Sequence, residues 1–512
     1  MKLRTIATIA APVLCLFAFT LVGAVCRTQE ADVDRSKQVS EFGAVLKSKD
    51  VKAYSRAALE LRRWMIANDP HRPIYHFTGP ESWINDPNGP IYYKGKYHLF
   101  YQFSPMIDGS RSPMCWGHAV SADLVHWTDW PVAMWPDTPY DRNGVFSGNT
   151  IIDDDGIINA FYTGNVREHA ECYGMRAWSK DGGVTWEKKM VMKDRPTPDS
   201  PVHWDGQVWK DGGLWYQLIG GTADGKGAGM LWSSPDLDHW TFIKPIFVSG
   251  PGSFFELPYL IPLDGRYVFM SGTGGNPYWI GSYDKKLHTF TPDKPEPESF
   301  DAGDYYSFNL NMTDDKGKGG RRIVHGWVTT EPTPTQGVPY WQGAHSIPRV
   351  ISIKDGRLEI QPIPEIEKLR GVERSFKDIK VSAGAAASIK DISGSALDIV
   401  ATFSPGKAKR FGIIVRASAD GAIGLPVWFD SATGEFGIGD RHTKCCVGPG
   451  RDVTVRILVD HSIVEAYAGG RAITKCTLQD PAAQFIVPFA EGGDAVLKKV
   501  DMWQMKSMWD FR

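Results

Sequence analysis

The sequence is poor in cysteine, and neither sign of charge dominates it. Only 7 of its 512 residues are cysteines. Cys15 and Cys26 fall in an N-terminal hydrophobic stretch, and Cys115, Cys172, Cys445, Cys446 and Cys476 form neither a CxxC metal pattern nor a dense disulfide framework. No metal site is expected from them, and we assign them no chemistry. Lys and Arg number 57 against 59 Asp and Glu, a formal net charge of -2, with no basic run to mark a nucleic-acid surface. A weakly charged small substrate fits better. Long apolar runs are also scarce: the one stretch, Thr5 to Cys26, follows Lys2 and Arg4 and ends at the polar Arg27-Thr-Gln-Glu30. That pattern predicts a secretory signal and a secreted or periplasmic protein. A retained membrane anchor is the alternative, because about 20 apolar residues span a bilayer. Leu21-Val-Gly-Ala-Val-Cys26 also loosely resembles a lipoprotein cleavage box, which would anchor the chain through Cys26, although Val25 is larger than the usual residue there.

Aromatic residues are plentiful at 12%, with 19 Trp, enough both to fill a large β core and to offer flat faces to sugars. Val51, Tyr54, Ala58, Leu61 and Met65 recur at helical spacing, so residues 37 to 68 are expected to form a helical lead-in that packs on the main domain. From His71 onward, short runs of Tyr, Phe, Val, Ile and Trp alternate with Gly, Pro, Asn and Asp, which is all-β texture. A degenerate repeat runs through it. Ser121-Ala-Asp-Leu-Val-His-Trp127 is followed by related segments at Ser179, Ser234 and Ser282, with Asp123, Asp181, Asp236 and Asp284 separated by 58, 55 and 48 residues. A period near 50 predicts four-stranded propeller blades, five of them between residues 71 and 362. Prolines near Ile360-Gln-Pro-Ile-Pro-Glu365 mark a junction, and the alternating strands beyond it predict a β-sandwich over 363–512. The expected organisation is thus a signal at 1–26, a helical extension at 27–70, a propeller at 71–362 and a sandwich at 363–512. Asp460-His461-Ser462 holds the residue types of a catalytic triad, but sequence neighbours at a hairpin turn do not make that geometry.

Inner strands of successive blades line a propeller's axis, so acids at repeat spacing can converge. Asp86, Asp205 and Glu256 lie 119 and 51 residues apart, each in an aromatic, turn-rich setting. Two carboxyl groups, one ionised and one protonated, are what glycoside hydrolysis needs. Glu256, among Phe254, Phe255, Leu257 and Pro258, suits the protonated role, whereas Asp86, beside the amides of Asn85 and Asn88, is expected to stay ionised. Asp205 is left to hold sugar hydroxyls.

These segments carry a family resemblance. Trp83-Ile-Asn-Asp-Pro-Asn-Gly89, preceded by Arg72-Pro-Ile-Tyr-His-Phe77 and followed by His98-Leu-Phe-Tyr-Gln102, resembles the opening of glycoside hydrolase family 32, the invertases, levanases and inulinases. Trp116-Gly-His-Ala-Val-Ser121, Phe146-Ser-Gly148, Phe161-Tyr-Thr-Gly164, Phe255-Glu-Leu-Pro258, Ser346-Ile-Pro-Arg349 and Val459-Asp-His-Ser-Ile-Val-Glu465 continue it in order. The resemblance implies a five-bladed propeller with a C-terminal sandwich, and retaining transfer of a fructosyl unit from sucrose, levan or inulin without metal or other cofactor. It implies Asp86 as nucleophile, Glu256 as acid/base and Asp205 as transition-state stabiliser, with Asn85, Gln102, Trp116, Phe146 and Ser147 lining the pocket. Three positions depart from the pattern. Trp204 and Gly206 stand where Arg and Pro usually flank the stabilising Asp, Leu257 stands for a common Cys, and Asn149 for a frequent Ser. An indole in place of a forked cation changes what that wall offers a sugar, so Trp204 joins the expected substrate contacts. Fructosyl transfer, hydrolysis of a different glycoside, and sugar binding without turnover stay open as alternatives.

Overall fold

The computed structural model describes residues 37–511 except 108, 168–169, 252–253, 314–319, 331–340, 386–388, 390–392 and 446–449. The expected export segment, Cys26 included, and Cys446 lie outside the described residues. No described helix is long and apolar enough to cross a membrane.

The lead-in is two helices rather than one, because Asp50 interrupts it as an N-cap, accepting from the backbone of Lys52 and Ala53. The second helix, Val51–Asn68, buries Tyr54, Ala58, Leu61 and Met65 as the spacing predicts. It also buries Arg62, which the pattern does not predict. The Arg62 guanidinium forms a two-pronged pair with Asp129 at 3.0 and 2.8 Å and lies 3.5 Å from the centre of the Trp509 ring. The helix thereby clamps the first blade to the end of the chain.

Among the described residues five antiparallel sheets follow in sequence order, each built on a run of four strands. Their inner strands are Ser82–Tyr93, Gly144–Ile152, Gln207–Asp211, Tyr259–Leu263 and Tyr305–Thr313. Trp341–Gln342 pairs in parallel with Ser82–Trp83, so a segment late in the fifth blade returns to the first inner strand. The sequence repeat is the turn between third and fourth strands. Asp123, Asp181 and Asp236 each accept backbone N–H groups two to four residues ahead, and the Trp that closes each turn donates to a backbone carbonyl within it. Asp284 repeats the carboxylate part. The fifth blade lacks the motif because its turn is the two-residue Asp355-Gly356, both at positive φ (51° and 72°). Apolar side chains fill the space between blades, with Phe100 and Trp116 of the first meeting Val145, Tyr162 and Met175 of the second.

A 3-10 turn, Pro364–Leu369, leads into two packed sheets of six and five strands with their own core, including Ile399, Phe403, Ile413, Phe436 and Ile457. The fold is therefore all-β, a five-bladed propeller followed by a β-sandwich. Asp460-His461-Ser462 is the turn between two sandwich strands, and it fastens the propeller. Asp460 accepts the backbone N–H groups of Ile74, Tyr75 and His76 at 2.7–2.8 Å, and Ser462 donates to His71 O.

Candidate active site

The first two inner strands and the fifth each carry a bulge near one end. In the first, Ile84 pairs with Phe103 and Pro87 with Tyr101, so Asn85 and Asp86 together oppose Gln102. In the second the extra residue falls at Phe146-Ser147, and in the fifth at Ser307. A regular strand sends consecutive side chains to opposite faces, whereas a bulge re-aims them. The other two acids precede their strands in left-handed backbone: Asp205 has φ +53°, and Leu257, next to Glu256, has φ +42°.

The acids meet. Asp86 is half-buried, and burial pushes its carboxyl up to about 6; the Ser147 hydroxyl and then Ser307 pull it down, and Glu256 raises it. Ser147 Oγ donates to Asp86 Oδ2 at 2.5 Å and takes a 2.5 Å bond from Gln102 Nε2. Asp205 is buried and held well above the ordinary carboxylate range, first by desolvation and then by the charges of Asp86 and Glu256, against a donation from the Leu257 backbone. Its own N–H donates to Thr163 Oγ1 (2.8 Å), which shares a 2.9 Å hydrogen bond with the buried His203. Glu256 Oε2 accepts from Tyr306 Oη at 2.5 Å. Burial together with the Asp86 charge therefore favours a proton on Asp205.

Two expectations about this site change. The expected easy ionisation of Asp86 is not met, since burial raises its carboxyl to about 6; the groups that oppose this are hydroxyls rather than the neighbouring amides, and Asn88, with its oxygen turned toward the donors, accepts from Trp116 Nε1 and Gln102 N, away from Asp86. Trp116 does not line the pocket. It is fully buried against Phe100 and Tyr162, and its one indole N–H is shared between Asn88 and Phe146 O (2.9 Å), so it braces the second inner strand from behind. Asn85 sits in the bulge with its Oδ1 buried and unpartnered among the described residues, free to meet a ligand hydroxyl. Ser307 Oγ is likewise buried and faces Asp86. Tyr306 and Ser307 were not singled out from sequence; they lie in the blade without the repeat motif.

Trp204 meets Phe146 edge-on (centroids 6.5 Å, 88°) and Phe254 (5.8 Å, 87°). With Phe254 and Glu256 it lines a cleft of about 620 Å³ that also takes in Tyr173, Lys193 and Arg195. Gly206 has φ +140°, which proline cannot adopt, so the departure at 206 is one of backbone as well as side chain. Among the described residues no group of three or more His, Cys, Asp or Glu is placed to hold a metal ion.

The chain matches the family model for the glycosyl hydrolases family 32 N-terminal domain over residues 76–362, and that for the family 32 C terminal over 365–504. A levanase of Bacillus subtilis (strain 168) is 29% identical over 499 residues, covering 86% of this chain and 71% of that protein. A sucrose-6-phosphate hydrolase of the same organism is 32% identical over 337 residues, covering 61% of this chain and 69% of that protein. Among solved structures, fructan 1-exohydrolase IIa from Cichorium intybus shares the fold with a TM-score of 0.75 at 24% identity, covering 86% of this chain and 99% of that one. A Bombyx mori GH32 beta-fructofuranosidase gives 0.71 at 25% identity, covering 89% and 99%. Matched by both family models along most of its length, the chain belongs to glycosyl hydrolases family 32 and is a glycosidase.

Proposed function

We propose that this glycosidase is exported and cleaves β-D-fructofuranosyl linkages of sucrose, levan or inulin with retention of configuration. The observation that carries the reading is the meeting of Asp86, Asp205 and Glu256, with a separate hydroxyl donor on each of the two reacting carboxyls. Ser147 occupies Oδ2 of Asp86, which leaves Oδ1 to attack the anomeric carbon. As that bond forms, the glycosidic C–O bond breaks, and protonated Glu256 passes its proton from Oε1 to the leaving oxygen, because Oε2 is held by Tyr306. Water then attacks the same carbon, returns a proton to Glu256 and releases Asp86. Asp205 and Asn85 supply the contacts for sugar hydroxyls. Names of relatives such as levanase and beta-fructofuranosidase support the sugar, and the N-terminal stretch of the sequence supports export, with attachment through Cys26 as its variant.

Incubation with sucrose, inulin and levan, followed by NMR of the first product, tests the proposal. Fructose appearing first as the β-furanose is the expected result. Absence of fructose from all three sinks the substrate assignment, and a first-formed α anomer sinks retention.

The segment Trp204-Asp205-Gly206 favours a second reading, hydrolysis of a different glycoside, since an aromatic wall and a changed backbone stand beside the stabilising acid. Turnover of another glycoside from a panel of aryl glycosides, faster than any fructoside, would select it.

A further inference from the structure

His345 ties the nucleophile to the sandwich. Residues 341–349 run from the nucleophile's strand to the domain seam. Trp341–Gln342 pairs with Ser82–Trp83, and Gly343 passes so close to Ile84 that a Cβ there would stand 1.8 Å from its carbonyl oxygen. His345 N then donates to Phe77 O at 2.8 Å, and its ring Nε2 lies 2.7 Å from the carbonyl oxygen of Asn85. Two residues on, Ile347 N donates to Glu465 Oε1 at 3.0 Å, and Arg349 sits buried among Asp301, Glu465 and Thr474. Glu465 belongs to the sandwich strand Ile463–Ala468. One short segment thus touches the residue before the nucleophile at one end and a buried sandwich carboxylate at the other.

The chemistry of the His345 contact has one sense. A carbonyl oxygen only accepts, so Nε2 carries the proton. The ring is buried, stacked on Phe77 with centroids 5.5 Å apart, and its Nδ1 has no partner among the described residues. Asn85 and Asp86 form the bulge, where the regular pairing of their strand with its neighbour is interrupted. An outside donor on the Asn85 carbonyl therefore sets the angle at which Asp86 leaves the strand.

We propose that His345 is a positioning residue for Asp86, holding the Asn85-Asp86 bulge in register and coupling it through Ile347 and Glu465 to the C-terminal sandwich. This rests on Asp86 being the nucleophile. The geometry matters because misplacing a reacting atom by about 1 Å costs on the order of 100-fold in rate.

Three substitutions in the full chain test it. His345→Gln carries an amide N–H to nearly the place of Nε2, His345→Asn stops a methylene short of it, and His345→Met fills the space with no donor. On whichever sugar the wild type cleaves, His345→Met and His345→Asn are expected to lower kcat about tenfold or more with KM within about twofold, while His345→Gln restores most of kcat. If the Met variant does not fold, the Gln and Asn pair carries the comparison, since the two differ by one methylene. Wild-type kcat in the Met or Asn variant, or a Gln variant no better than the Asn one, overturns the proposal. Asp86→Ala run alongside separates the two claims: turnover surviving in that variant removes Asp86 as nucleophile, whatever His345 does.

Discussion

Tyr306 and Ser307 are consecutive in the chain, yet Tyr306 donates to Glu256 at 2.5 Å while Ser307 faces Asp86. A regular strand would turn them to opposite faces. The bulge, where Tyr306 pairs with Trp327 and Phe308 with Gly326, and the positive φ of Ser307 (52°) bring both to one site. Tyr306→Phe keeps the ring and removes the donor, leaving Glu256 free to rotate. Its kcat is expected to fall about 10-fold or more with KM changed less than about threefold. Steady-state kinetics on the cleaved sugar decide this, and an unchanged kcat would discount the contact.

The pH profile follows from Asp86. The proposed attack requires its ionised form, and burial places its carboxyl at about 6, so kcat/KM of the free enzyme should decline as pH drops below that value. Ser147→Ala removes the largest of the groups favouring the charged form. The acid limb should then move up by about one pH unit, the equivalent of one charge-assisted hydrogen bond. A limb that stays in place would mean another group sets it.

How much of this was readable without the structure varies with physical cause. The blade period was legible because each of four turns needs a carboxylate to cap its N–H groups, so Asp recurs wherever that turn recurs. Asp86 and Glu256 stand in motifs that are legible in the sequence. Trp116 was misplaced because its strand, Cys115–Ser121, is buried at every position and shows no alternation to tell the pocket face from the blade interior. The bulges leave no periodic trace, since each is a single added residue, and Tyr306 and Ser307 were hidden with them. The buried pairs Arg62 with Asp129 and His76 with Asp460 join residues far apart in sequence, and no local pattern announces such partners.

The Asp86 carboxyl burdens the fold. Its folded-state value of about 6 lies above the ordinary 3.8, so the native state holds the proton more tightly and ionisation costs stability as pH rises from about 4 through about 6. At neutral pH that cost is fully present. Asp86→Asn, inactive in turnover, should therefore be more stable than wild type at pH 7 by about 1–2 kcal/mol, allowing for a weaker bond to Ser147. At pH 4 the gain should vanish. Denaturant titrations at both values check it, and equal stability at pH 7 would contradict the burial of this charge.

His76 does the reverse at the seam between domains. Asp460 lies 2.9 Å from its Nδ1 and Glu465 3.4 Å from its Nε2, and together these carboxylates outweigh burial to raise the imidazolium to about 9. A raised cation stabilises fully below the ordinary 6.5 and loses that contribution as pH climbs through about 9. Its partner Asp460 is held far below the carboxylate range, so its share is lost only in acid. His76→Gln leaves two buried carboxylates short of a charge and should cost about 3–5 kcal/mol at pH 6. The difference from wild type should shrink toward pH 9. A constant difference across that span would assign the loss to packing.

Gly206 stands where the family resemblance implies a proline. At φ +140° it has a conformation closed to proline, and a Cβ there would lie 2.8 Å from the carbonyl oxygen of Leu218. A proline at 206 would also restrict the residue before it to extended backbone, whereas Asp205 stands at φ +53° with its N–H on Thr163. The Asp205 carboxylate would have to leave its place near Asp86 and Glu256. Gly206→Pro is thus expected to lower kcat/KM about 100-fold, and adding Trp204→Arg to complete the family pattern should not restore it, because the backbone rather than the missing cation is at fault. Gly206→Ala, milder in both respects, should fall between. If the proline variant keeps its activity, the working enzyme places Asp205 on a different backbone path, and Trp204 alone accounts for the departure.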